Sequence, residues 1–128
     1  MNSYDRTMLE WKAITLDCNG DYYAMVDEDI YDVLIQWKWG LYRYKGKLYA
    51  KRTKRNTDPW QWPSTIYMHR WIADRYLVKP SPNHIIVDHI HGNGLDNRLS
   101  KLRWATPQDN RLNLFGMWWQ QKDLFRDF

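Results

Sequence analysis

A single cysteine, Cys18, stands among 128 residues. That excludes an intrachain disulfide framework and any multi-cysteine zinc site. No apolar run approaches the ~20 residues that cross a bilayer, so no membrane partner is expected. The opening Met1-Asn2-Ser3-Tyr4-Asp5 lacks the basic-then-apolar order of a signal peptide. The expectation is a chain that stays in a reducing cytoplasm. Repeats and low-complexity segments are missing too. So is any acidic residue between Lys38 and Arg55.

That last gap draws attention to what fills it. Lys38, Arg43, Lys45, Lys47, Lys51, Arg52, Lys54 and Arg55 form a one-signed stretch, whereas the first 37 residues are acidic on balance. Such density attracts polyanions and speeds their encounter. The stretch is either a solvated face or a nucleic-acid contact; the interleaved Trp39, Tyr42, Tyr44 and Tyr49 favour the second. Nine tryptophans and nine tyrosines are many for this length.

Local patterns give the elements. Residues 13–16 read as a strand, Cys18-Asn19-Gly20-Asp21 as a turn and residues 22–26 as the hairpin partner. Asp27 is placed to cap a helix over 28–37, on which Ile30, Val33, Leu34 and Trp37 recur at helical spacing. Residues 39–43 and 48–52 flank Lys45-Gly46 and predict a two-stranded ribbon. Residues 54–63 read as a loop, whose Trp60 and Trp62 either plug a core or lie exposed. Residues 66–68 suit a further strand. Met68, Trp71, Ile72 and Tyr76 suit a helix that must stop before Lys79-Pro80-Ser81-Pro82.

Past that proline-rich hinge, Ile85-Ile86-Val87-Asp88-His89 is an apolar strand ending in two polar residues. A loop through Gly92-Asn93-Gly94 and Leu95-Asp96-Asn97-Arg98 follows, then a short strand at Leu102-Arg103-Trp104-Ala105. Thr106-Pro107-Gln108-Asp109 is a helix start, with threonine at the cap, proline at the first position and an acid three residues after the cap. Asn110 and Asn113 then share a helix face. Neighbouring strand residues point to opposite faces, so Asp88 and His89 can serve one site only if the strand ends or twists there.

The run from Val87-Asp88-His89-Ile90 through Gly92-Asn93, Leu95-Asp96-Asn97-Arg98 and Leu102-Arg103-Trp104-Ala105-Thr106-Pro107 to Asn110 resembles the HNH endonucleases, especially the phage and intron-associated homing type. Val26-Asp27-Glu28, Trp37-Lys38-Trp39, Tyr49-Ala50 and Tyr67-Met68-His69-Arg70 resemble, more loosely, the region that often precedes their nuclease motif. The resemblance implies an α+β chain: an N-terminal small antiparallel sheet with helices, then a ββα-metal motif. It implies one divalent cation held by Asp88 and Asn110, with His89 as general base. A carboxylate and an amide oxygen suit a hard cation, Mg²⁺ or Mn²⁺. A neutral imidazole can take a proton from water at neutral pH. The middle asparagine of the family's name, which braces the histidine loop, is here Lys101. Lysine has donors only. Either Asn97 takes over the bracing, or Lys101 contacts phosphate, or the site is crippled. His69 and His84 are expected to be structural or surface residues.

The expected organisation is a DNA-binding region over 1–78, the nuclease motif over 79–116 and a C-terminal tail over 117–128 that packs back or forms a dimer contact. Double-stranded DNA is the expected partner. Arg43, Lys51, Arg52, Lys54 and Arg55 of the ribbon and Arg98 and Arg103 beside the site are the expected DNA contacts. The expected activity is metal-dependent DNA cleavage, by a monomer or a dimer, in a bacterial host's cytoplasm if the chain is phage-encoded. The competing readings are a catalytically impaired DNA-binding protein of the same fold and a protein-binding module. Metal-dependent cutting and salt-sensitive binding separate the three.

Overall fold

The computed structural model describes residues 10–114, with side chains through residue 111. The chain begins with a hairpin, β1 (Trp11–Thr15) and β2 (Tyr23–Asp27), paired from Trp11↔Asp27 to Thr15↔Tyr23. Gly20, at φ 75°, supplies the left-handed residue of its turn.

Helix α1 covers Glu28–Leu34, one turn shorter than the spacing predicts. The reason lies in Trp39. Its buried indole N–H donates to the Leu34 carbonyl at 2.9 Å, and the Trp37 backbone N–H donates to the same oxygen at 3.2 Å. A carbonyl satisfied in this way ends the helix. Asp27 occupies the cap position, but its side chain makes no capping hydrogen bond. The carboxylate, almost fully buried, instead accepts the backbone N–H of Leu99 at 2.9 Å.

The ribbon forms as expected and gains a third strand. Strands β3 (Gly40–Tyr44), β4 (Lys47–Thr53) and β5 (Thr65–Tyr67) are antiparallel in that order. Lys45 at φ 49° and Gly46 at φ 78° make the tight turn whose twist suits a two-residue hairpin. Of the two loop tryptophans, Trp62 packs against the core and Trp60 stands 83% exposed.

Helix α2 (Met68–Tyr76) buries Met68, Trp71, Ile72 and Ala73. It packs against β4 and β5 and also against β6 and β7. Strand β6 (Ile86–His89) pairs with β7 (Leu102–Ala105), a 3₁₀ turn (Leu99–Lys101) leads into β7, and α3 (Pro107–Leu114) follows. At the start of α3 the Asp109 N–H donates to Thr106 Oγ1 at 3.1 Å, and the Thr106 N–H donates to an Asp109 carboxylate oxygen at 3.3 Å. This is the reciprocal box that the four residues predict. Three small antiparallel sheets and three α-helices among the described residues make an α+β fold.

One buried cluster, from Ile14 and Val26 through Trp39, Ala50 and Trp71 to Val87 and Trp104, joins the segments before and after the proline hinge. The Trp104 indole N–H donates to the Leu77 carbonyl, and Arg70 donates to the Ile85 carbonyl. Strand β2 also reaches the downstream loop: the Met25 N–H donates to the Leu95 carbonyl and the Asn97 N–H to the Met25 carbonyl, each at 2.8 Å. The hinge therefore turns the chain without separating two cores. The expected tail over 117–128 lies outside the described residues.

Candidate active site

Strand β6 ends at its two polar residues because the chain turns there. The Gly92 N–H donates to the His89 carbonyl at 2.8 Å, with Gly92 at φ 81°, and the Ile90 N–H donates to the Lys101 carbonyl at 3.0 Å. The strand end removes the obstacle that strict alternation poses. Asp88 and His89, both buried, line one cavity of about 360 Å³. Asn110 on α3 lines it as well, as do Gly92 and Gly94 of the intervening loop.

The imidazole of His89 donates its Nε2 hydrogen to Oδ1 of Asn97 at 2.7 Å. Asn97 is completely buried, and its backbone is pinned to Met25. Burial depresses the His89 pKa, and Lys47 adds to that. The Asn97 hydrogen bond and the Asp88 and Asp96 carboxylates oppose it. Lys101 lies in the 3₁₀ turn, where its backbone carbonyl, rather than its side chain, holds the end of β6.

Asp88 lies opposite Arg103 in the β6–β7 ladder, and Arg103 Nε donates to its Oδ2 at 3.0 Å. Among the described residues no group of three or more histidine, cysteine or acidic side chains gathers to hold a metal. One carboxylate and one amide oxygen on the cavity wall, with room for water, fit a hard divalent cation.

Beyond the motif, the cavity wall comes from the ribbon and α2: Tyr42, Tyr44, Lys47, Tyr49, Tyr67 and His69. The ring of His69 lies 4.8 Å from that of His89. Its pKa is pushed down to about 3, mainly by burial and further by His89 and Arg70. The expectation of a structural or surface role gave His69 no place at this cavity, because only the docking of α2 against β6 brings it there. His84 is held away from the cavity by Ser81, 2.7 Å from its Nδ1.

The expected DNA contacts scatter. Arg52 is 5% exposed, bonds Asp58 twice at 2.9 and 3.1 Å, and lies on the faces of Trp37 and Trp39. Its assignment as a DNA contact is corrected: the guanidinium belongs to the core. Lys54 closes the following loop by donating to the Trp60 and Trp62 carbonyls at 3.0 Å each. Arg98 is committed to Asp96 through two hydrogen bonds, and Arg103 to Asp88. Arg43 stacks on Tyr22, on the sheet face away from the cavity, and Arg55 is exposed. Lys51 lies over Tyr42 on the cavity side.

Residues 66–112 match the family model described as HNH endonuclease. Through this segment the chain is similar to the HNH endonucleases. A curated relative, an uncharacterised HNH endonuclease (L560) of Acanthamoeba polyphaga mimivirus, is 33% identical over 92 residues. That alignment takes in 71% of this chain and 43% of the relative, so the chain spans less than half of the relative's length. No solved structure gives a significant match. The HNH segment starts at β5, so the family match itself includes α2 and His69 along with Asp88, His89 and Asn110. No helix among the described residues is long and apolar enough to cross a membrane.

Proposed function

We propose that the chain hydrolyses phosphodiester bonds in DNA, with His89 as general base. The observation that carries this reading is the convergence of Asp88, His89 and Asn110 on one cavity, with the His89 ring held by Asn97. Because Asn97 Oδ1 is an acceptor, the neutral ring keeps its hydrogen on Nε2 and its lone pair on Nδ1. Nδ1 is then the atom that takes the proton from an attacking water. Burial favours the neutral ring, the form that can accept a proton. As the water oxygen bonds to phosphorus, the bond to the 3′ oxygen breaks, and that oxygen takes a proton from solvent water, giving a 5′-phosphate and a 3′-hydroxyl.

Asp88 and Asn110 would hold one Mg²⁺ or Mn²⁺, which supplies charge stabilisation to the phosphate and the leaving oxygen. Arg103 keeps the Asp88 carboxylate oriented through Oδ2. The Asn97 contact supports the reading that it braces the histidine in place of Lys101. A single site of this kind cuts one strand; two copies would be needed for two.

The test is incubation of supercoiled plasmid and of genomic DNA from the source with wild type and His89→Ala, in Mg²⁺, in Mn²⁺ or in chelator. Nicking or linearisation by wild type alone, and only with metal, is the expected result. Salt-sensitive binding with no cutting by either protein would instead favour the catalytically impaired DNA-binding protein. Neither binding nor cutting would favour the protein-binding module.

A further inference from the structure

The register of the ribbon sets a pattern that the nuclease chemistry does not use. Tyr42 faces Tyr49, Tyr44 faces Lys47, and Lys51 lies between Gly40 and Tyr67 across the three strands. Cross-strand partners share a face and alternate residues share it too. Tyr42, Tyr44, Tyr49, Tyr67, Lys47 and Lys51 therefore stand on one side of the sheet. The other side carries Ala50, Arg52 and Ile66 into the core. The tyrosine side is the wall of the cavity that holds Asp88, His89 and Asn110.

Tyrosines on strands are common and often serve packing alone. Three observations set this face apart. Tyr44 is 51% exposed, and Tyr42, Tyr49 and Tyr67 are only partly buried, so the face is not consumed by a core. The rings of Tyr42 and Tyr44 are nearly parallel, 12° apart with centroids at 6.2 Å, as in a stacked pair. Cations lie over those rings: the Lys51 Nζ is 4.4 Å from the Tyr42 ring centre and the Lys45 Nζ 5.4 Å from that of Tyr44. Partly exposed aromatic rings interleaved with flexible lysines are what a single nucleic-acid strand needs, with a base taking the lysine's place on the ring and the ammonium group moving to phosphate.

We propose that this face is a stacking platform for an unpaired base beside the cleaved bond, so that the preferred substrate is DNA that is single-stranded or opened at the cut site. The inference rests on the nuclease reading for its location, since the phosphate next to the stacked base would lie at His89. Bases paired inside a duplex keep their faces stacked on one another and cannot use the tyrosines. Unstacking them costs free energy that an already open strand does not incur.

The experiment measures binding in chelator, where cutting plays no part. Fluorescent oligonucleotides are used as a single strand, as a perfect duplex and as the same duplex with a central unpaired bulge. Anisotropy with wild type should show at least about tenfold tighter binding of the single strand and the bulge than of the duplex. Tyr44→Ala and Tyr42→Ala should each weaken the single strand about tenfold and change the duplex less than twofold. Tyr44→Phe, which keeps the π face, should bind the single strand as wild type does. Equal affinity for all three DNAs, or a Tyr44→Phe loss as large as that of Tyr44→Ala, overturns the proposal. Failure of the nuclease reading shows separately, as absence of metal-dependent cutting while these affinities keep their pattern.

Discussion

The ring centres of His69 and His89 lie 4.8 Å apart, tilted by 58°, and Tyr49 flanks both, at 5.7 Å from the first and 6.0 Å from the second. Two imidazoles from different elements thus share one aromatic nest. If both were charged they would repel at close range in a poorly hydrated place, so burial and proximity together favour neutral rings.

The pH dependence of stability follows from that preference. In the unfolded chain His69 takes a proton near pH ~6.5. Folded, it resists protonation until about 3. The unfolded state therefore binds more protons between those values, and stability falls as pH drops from ~6.5 toward 3, while above ~6.5 this group adds no slope. His69→Gln should reduce the slope of urea-unfolding free energy against pH by about one proton across that window. An unchanged slope would show that His69 is not held neutral.

Asn97 and Lys101 should differ sharply when changed. Asn97→Ala removes the acceptor on His89 Nε2 and is expected to lower the cleavage rate about 10- to 100-fold. Lys101→Asn restores the family's residue, yet the ring already has its partner, so the rate should stay within about threefold of wild type. A large gain in rate for Lys101→Asn would mean that Asn97 does not suffice as a brace.

Arg52 and Lys51 are neighbours in sequence with opposite expected phenotypes. Arg52→Ala leaves the Asp58 carboxylate, which Arg52 holds down at about pKa 2, without its main partner. Breaking a buried pair of this kind costs about 3–5 kcal/mol. Thermal or urea unfolding measures it. Lys51→Ala should leave stability nearly unchanged and lower the slope of log affinity for DNA against log salt by about one. Swapped results would place the ribbon's faces the wrong way round.

Gly94 tests how the motif meets the ribbon. A Cβ there would collide with the backbone carbonyl of Leu48 and sit 3.0 Å from the Tyr49 ring. Backbone cannot yield as a flexible side chain does, so Gly94→Ala should destabilise by about 1–3 kcal/mol or more. It should also slow cleavage at temperatures where the variant remains folded, because the loop that turns away from His89 must shift. Wild-type melting and cutting would refute this close approach.

Much of the fold was legible wherever a few adjacent residues decide the outcome. Lys45-Gly46 sets a hairpin turn, Thr106 and Asp109 set a helix start, and Pro80 and Pro82 end a helix's reach, each through local backbone geometry. The period-two pattern of the ribbon also contained the tyrosine face, although charge alone drew attention to Arg52, which the structure buries.

By itself the sequence determined the element order, the order of Asp88, His89 and Asn110, and the resemblance that the family match over residues 66–112 supports. Only the tertiary structure decided the partners: Asp27 turned from its own helix to Leu99, Asn97 reached His89, Arg52 paired with Asp58 inside the core, and His69 joined the cavity. The physical reason is range. Periodicity and turn chemistry state which side of an element is buried, whereas a buried polar group bonds whatever the packing of distant elements brings within hydrogen-bond reach.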